Sequence, residues 1–144
     1  QTISDSISSV YGAAAKKNIP IHTAYFEDVL LLHDRKWTVE AMTNILENAV
    51  KYSPANKEIN ISLEALPIYT KISVTDFGIG IAPDEWNSVF KRFYRGRNAK
   101  DVEGVGLGLY LASLIVQKQG GYILVDSKPG HYTTFSMFLQ NCKQ

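Results

Sequence analysis

The segment Thr75-Asp76-Phe77-Gly78-Ile79-Gly80-Ile81 narrows the possible folds more than any other stretch. Just before and into it, Ile72, Val74 and Asp76 alternate with Lys71, Ser73 and Thr75, which predicts a strand delivering Asp76 to the core side of a sheet. A buried carboxylate left without a donor costs several kcal/mol, so this strand must end where something can donate to it. The two glycines that follow let the chain turn sharply and come close to a flat object. An acid at a strand end with a glycine turn behind it is what a pocket reading an exocyclic amine requires. Asp-x-Gly is also a common turn, and taken alone the segment leaves both readings open.

The 144 residues, 45% hydrophobic and 20% charged, suit one globular domain. A net charge of +1 leaves no basic footprint, so nucleic acid is not the expected partner. Apolar runs such as Leu109 to Val116 fall far short of a membrane span. Cys142 is the single cysteine, which excludes an internal disulfide and a cysteine metal cluster and fits a reducing compartment. No signal or transit sequence opens the chain at Gln1, and the expectation is an excised domain whose parent carries membrane segments.

Taken in order, Ile3, Ile7, Val10 and Ala14 predict an amphipathic helix over residues 3–17. Ile19 to Tyr25 and Val29 to Leu32 predict two short strands about a turn at Glu27-Asp28. His22 and His33 lack acid–base or metal spacing and are expected to be half-exposed strand residues. From an N-cap at Asp34 a long helix runs to about Ser53, closed by Pro54. Its wheel puts Met42, Ile45, Leu46, Ala49 and Val50 on an apolar stripe, and Glu40, Asn44, Glu47, Asn48 and Lys51 opposite. Two asparagines four apart are poor choices for a merely wet helix face. Amide oxygens one turn apart can instead ligate a hard cation, while Lys51 can reach phosphate and Tyr52 brings a ring beside it.

Glu58 to Ala65 alternates as a strand with Ile59, Ile61, Leu63 and Ala65 inward. Pro83-Asp84-Glu85 opens a short helix, and the polar run from Gly96 to Glu103 predicts a mobile loop. Gly104-Val105-Gly106-Leu107-Gly108-Leu109 then leads into a helix to about Gln119 with Leu111, Leu114 and Ile115 apolar. Alternate glycines at a helix start leave backbone N–H groups aimed at an anion, although a flexible hinge fits them equally. They form neither a Walker loop nor a dinucleotide fingerprint. Strands over 121–125 and 133–139, joined at Pro129-Gly130, finish the chain, with His131 a surface residue of that turn.

Four segments, in this order, give a resemblance. Asn44 to Ser53 looks like an N box, Asp76 to Gly80 a first glycine box, Phe90 to Arg95 an F box, and Gly104 to Leu109 a second glycine box. Over roughly residues 1–140 the chain resembles the catalytic and ATP-binding domain of bacterial sensor histidine kinases, in the superfamily shared with DNA gyrase, Hsp90 and MutL. The resemblance implies an α/β fold: a two-layer sandwich with a mixed sheet of about five strands, three main helices and a flexible ATP lid over about 83–103. It also implies one catalytic domain over 1–144, with the dimerisation domain that carries the acceptor histidine absent.

By the same resemblance the ligands are ATP and Mg²⁺. Asp76 accepts from the adenine amino group, and Gly78, Gly80 and Ile81 shape that end. Asn48 ligates Mg²⁺ with Asn44 nearby, Lys51 and Arg95 approach the phosphates, and Tyr52 and Tyr94 flank the nucleotide. Gly104, Gly106, Leu107, Gly108 and Leu109 border the phosphates, with backbone donors running from Gly106 to Leu109. The implied function is donation of the γ-phosphoryl group to a histidine on the dimerisation domain of the parent, in two-component signalling that ends indirectly on a response regulator. The fragment is expected to be a monomer without autophosphorylation, forming the cytoplasmic part of a membrane-bound sensor kinase. A stand-alone serine kinase of the superfamily or a nucleotide-gated binding module is the alternative.

Asn44 stands where the superfamily's ATPases carry the glutamate that activates water, and an amide cannot take that proton. Glu47 lies roughly 60° away on the wheel and is a poor substitute. Thr38, where the family usually has leucine, and Tyr132, where it has glycine before Thr133, depart from the kinase pattern; the second leaves a role for Thr133 near adenine open.

Overall fold

A computed structural model describes residues 2–23, 35–91 and 108–141. Within them, five strands form one mixed sheet and three helices cover it, in the order α1 (Thr2–Lys16), β1 (Ile21–Thr23), α2 (Arg35–Tyr52), β2 (Ile59–Ala65), β3 (Tyr69–Asp76), α3 (Gly108–Lys118), β4 (Tyr122–Lys128) and β5 (Tyr132–Gln140). The sheet order is β1-β2-β3-β5-β4. Only β1 and β2 run parallel, and the other pairings are antiparallel.

The period-two pattern of the strands decides which face is covered. Ile59 and Ile61, Ile72 and Val74, and Phe135, Met137 and Leu139 are buried against Met42, Ile45, Leu46, Ala49 and Val50 of α2 and Val10 and Ala14 of α1. The opposite face is held by polar cross-strand pairs: Ser73 with Ser136 at 2.9 Å and Thr75 with Thr134 at 2.8 Å, each directly opposed in register. At the far end of that face Tyr122 stacks on Phe138 with centroids 4.5 Å apart, and Tyr69 meets Tyr122 edge-on at 5.3 Å.

α2 lies between α1 and α3, and its C-terminus is capped from outside. Lys17, just past α1, donates through Nζ to the carbonyls of Val50 (2.7 Å) and Lys51 (3.3 Å). Those last-turn carbonyls have no helical partner, and the negative helix end favours a cation.

Several expectations need correcting. Ala65 is exposed rather than inward, because the last residues of β2 run past the helix layer. In α3 the apolar Ile115 packs partly buried against the core, the fully buried positions are Ala112 and Val116, and Leu111 is 41% exposed. The first strand begins at Ile21 rather than Ile19 and is described to Thr23, with the expected Ala24 and Tyr25 outside the described residues, and Pro83–Glu85 is a single 3-10 turn. β4 extends to Lys128 and β5 starts at Tyr132. The expected strand at Val29–Leu32, the Asp34 cap and His33 lie outside the described residues, as does most of the proposed lid. Among the described residues no helix is long and apolar enough to cross a membrane.

Candidate functional site

Asp76 closes β3 on the covered face and is 3% exposed. Its Oδ1 accepts the Gly78 backbone N–H at 3.0 Å. Burial pushes the carboxyl up to about 6 from 3.8, against the opposing pull of that N–H. One backbone donor leaves the carboxylate underserved, since it has two oxygens and about four acceptor positions. Across the ladder its register partner is Thr133, itself buried.

The turn after Asp76 is wedged between two elements. A Cβ on Gly78 would sit 2.2 Å from the Tyr52 carbonyl oxygen, so the end of α2 lies directly against it. Gly80 has φ of +74°, and a Cβ there would meet the Lys128 carbonyl oxygen at 2.5 Å. Beyond it, Ile81 donates its N–H to Ser127 Oγ at 2.7 Å, and the Ile81 carbonyl accepts from Trp86 Nε1 at 3.0 Å. Gly130 donates its N–H to the Ile79 carbonyl at 2.7 Å.

Along α2, Glu40, Glu47 and Lys51 are exposed while Asn44 and Asn48 are partly buried. Lys51 Nζ lies 5.9 Å from the Tyr52 ring centroid. At the other end, α3 begins against Asn44: a Cβ on Gly108 would stand 3.9 Å from Asn44 Oδ1. Asn44 Nδ2 is buried and has no hydrogen-bond partner among the described residues. A buried amide donor without a partner costs roughly 1–3 kcal/mol, and the described residues offer this one no acceptor.

The two ends therefore form one line. Gly108, Asn44, Asn48, Lys51, Tyr52, Gly78 and Asp76 follow each other along the same helix and onto the strand end it abuts. From Asn44 to Tyr52 is eight residues, about 12 Å of helix rise. The line begins at an orphaned amide beside a helix start and ends at an underserved buried carboxylate. Chemically it can hold an elongated ligand with an amino donor at one end and anionic oxygens at the other.

Comparison with known proteins identifies the family. Residues 33–142 match the model of the histidine kinase-, DNA gyrase B- and HSP90-like ATPases. The chain belongs to this family. The sensor-like histidine kinase SenX3 of Mycobacterium tuberculosis is 37% identical over 139 residues, covering 95% of this chain and 34% of the relative. The histidine-protein kinase ArlS of Staphylococcus haemolyticus is 36% identical, covering 85% of this chain and 25% of its own length. This chain thus spans about a third or less of these curated relatives. Among solved structures, the mycobacterial sensor histidine kinase MprB superposes with a TM-score of 0.82 at 27% identity, covering 99% of this chain and 94% of that one. Full-length ShkA in complex with AMPPNP has the same fold, with a TM-score of 0.83 at 23% identity, over 99% of this chain and 30% of that one. The two-layer α/β architecture read from the four boxes is that of the family.

Of the residues singled out in the sequence, Asn44, Asn48, Lys51, Tyr52, Asp76, Gly78, Gly80, Ile81, Gly108 and Leu109 are brought into or beside this line. Arg95, Tyr94, Gly104, Gly106 and Leu107 lie outside the described residues. Phe90, the first residue of the F box, is partly buried and packs edge-on against core Phe135 at 5.9 Å. His22 is a surface strand residue whose Nε2 lies 3.1 Å from Glu58. Sequence reasoning passed over Ser127 and Trp86, the two side chains that grip the glycine turn. Nothing in a serine alternating with Asp126 and Lys128 marks it out, since the Ile81 N–H it accepts from is 46 residues away in the chain.

Proposed function

We propose that this chain binds Mg²⁺–ATP and donates the γ-phosphoryl group to a histidine on the dimerisation domain of its parent sensor kinase. Residues 1–144 act in this reading as one catalytic domain, with a lid over about 83–103. The observation that carries it is the pairing of an underserved buried carboxylate at Asp76 with an orphaned buried amide at Asn44, at opposite ends of one helix-lined track. Its length and polarity suit a purine at the Asp76 end and a triphosphate at the Asn44 end. The AMPPNP held by ShkA is a ligand of this chemical class.

In this proposal Asp76 accepts the exocyclic amino hydrogen of adenine, the Gly78–Ile81 turn lies against the base, and Tyr52 flanks it. Lys51 and Arg95 meet phosphate oxygens, Tyr94 flanks the nucleotide, and Gly106 to Leu109 of the second glycine box offer backbone donors where α3 begins. The amide oxygens of Asn48, with Asn44 nearby, are hard donors of the kind Mg²⁺ takes. When bound, that ion would neutralise charge on the phosphates. Phosphoryl transfer asks a protein mainly for positioning and charge stabilisation, and this chain's groups supply both. The histidine nitrogen attacks Pγ, the bond from Pγ to the bridging oxygen breaks, and ADP leaves. Asn44 cannot act as a base toward water, so slow hydrolysis and transfer to an outside acceptor follow.

Calorimetric titration of the chain with ATP and Mg²⁺, followed by mixing with the parent's dimerisation domain and labelled ATP, tests the proposal. Binding and label on the acceptor histidine are expected, with Asn48→Ala losing transfer far more than nucleotide binding. Absence of ATP binding, or brisk hydrolysis by the chain alone, would overturn it.

A further inference from the structure

Ser127 is 6% exposed and sits second from the end of β4. Its hydroxyl group makes three contacts that together exhaust its bonding capacity. The Oγ–H donates to the Tyr132 carbonyl at 2.6 Å. With its proton so committed, the same oxygen accepts the Ile81 N–H at 2.7 Å and faces Thr133 Oγ1 at 2.9 Å, where Thr133 must be the donor. One oxygen therefore joins the exit of the glycine turn, the end of β4 and the start of β5. Thr133 is in turn the register partner of Asp76.

Two further contacts of the turn run to the same hairpin, while Trp86, further along the chain, holds the Ile81 carbonyl. Gly130 donates to the Ile79 carbonyl, and the Gly80 backbone lies so near Lys128 and Pro129 that a Cβ would stand 2.5 and 2.7 Å from them. The Gly78–Ile81 turn is thus bracketed by the end of α2 on one side and the β4–β5 hairpin on the other. Of the hairpin contacts, the Ile81–Ser127 bond is the one made by a side chain, so it is the one a substitution can remove.

We propose that Ser127 is the positioning residue of the base-binding end: through Ile81 and Thr133 it holds the glycine turn and the Asp76 strand end at the separation an adenine plane requires. It touches no ligand and acts through those two residues. This rests on the reading of the site as an ATP site, and it assigns to β4 a part in base recognition that none of the four sequence boxes contains.

The 144-residue chain and its Ser127→Ala variant would be titrated with Mg²⁺–ATP, with Mg²⁺–GTP and with inorganic tripolyphosphate. Losing one neutral hydrogen-bond hub should weaken ATP by about three- to ten-fold. Tripolyphosphate affinity should stay level, and the preference for ATP over GTP should shrink. Ser127→Thr, which keeps the hydroxyl, should restore ATP affinity and the purine preference. Should Ser127→Ala fail to fold, the nearly isosteric Ser127→Cys, a weak acceptor, takes its place with the same expected direction. Wild-type-like ATP affinity and selectivity in a folded Ala or Cys variant would overturn the role of Ser127 alone, as would equal loss of ATP and tripolyphosphate. A wild-type chain that binds no adenine nucleotide would overturn the site reading and this inference together.

Discussion

The two ends of the nucleotide track are built in opposite ways. At the Asp76 end the backbone is clamped: Gly78 lies against Tyr52, Gly80 against Lys128, Ile81 is bonded to Ser127 and Ile79 to Gly130. At the Asn44 end the described side chains leave a donor unpaired, and Gly108 stands clear of its nearest neighbour by ordinary contact distance. In the proposed reading the first end is finished before any ligand arrives, and a ligand completes the second. A flat base needs a slot of fixed width, which only a rigid backbone can give. A triphosphate with its ion is flexible and charged, and needs donors that can wait for it.

The hardest blow to this contrast should come from Gly78→Ala. The added Cβ would lie 2.2 Å from a backbone oxygen, which no rotamer change can move aside. Overpacking of this kind costs about 3 kcal/mol or more, which for a domain of this size is a loss of roughly 6–12 °C in thermal midpoint. A calorimetric scan showing an unchanged midpoint would mean the turn is not clamped. Next in size is Asp76→Asn, which should weaken ATP by about 1.5–3 kcal/mol, or about 10- to 150-fold, the value of a charge-assisted hydrogen bond. Titration calorimetry giving wild-type affinity would remove Asp76 from the base slot.

The buried carboxyl also makes the contrast depend on pH. Because the Asp76 pKa is raised to about 6 in the folded chain, the fold binds its proton more tightly than the unfolded chain does. Its favourable contribution is complete below about 4 and is lost as pH rises through about 6, a difference of about 3 kcal/mol. The stability of the wild type relative to Asp76→Asn should therefore fall between pH 4 and 6 in denaturant titrations. Nucleotide affinity should move the other way, rising over pH 5 to 7 as the carboxylate ionises and gains the amino donor. Asp76→Asn should lack that extra slope, and equal pH profiles for the two chains would count against the assignment.

How much of this was legible beforehand follows the same division. The α2 wheel separated Met42, Ile45, Leu46, Ala49 and Val50 from Asn44, Asn48 and Lys51, because one helix face answers to a local period of 3.6 residues. The Asp76 strand was readable for the same reason, with a period of two. The clamp was not, since Ser127 meets Ile81 across 46 residues and Lys17 caps α2 across 33. Contacts of that kind are decided by sheet order, and an alternating strand pattern carries no record of its neighbours. Packing between helices is equally silent: Leu111, Leu114 and Ile115 are the apolar residues the sequence offers in α3, yet the fully buried positions are Ala112 and Val116.

Gly108→Ala is the smallest change and the sharpest on the open end. Among the described residues the nearest atoms to a Cβ at Gly108 are those of Asn44 at 3.9 Å, and its φ is not left-handed. Without nucleotide, alanine should be tolerated or raise stability by up to about 1 kcal/mol, since glycine in a helix is the costlier residue by that amount. Thermal scans of the free chain would register a shift of at most a few degrees upward. Once phosphates approach the start of α3 and the Asn44 amide, the same methyl group would occupy ligand space, so ATP affinity should fall while stability does not. Gly78→Ala inverts that order, damaging the fold first. If Gly108→Ala also unfolded the free chain, the second glycine box would be as clamped as the first. The difference between the ends would then be one of chemistry alone, an amine slot against an anion site, with no difference in readiness.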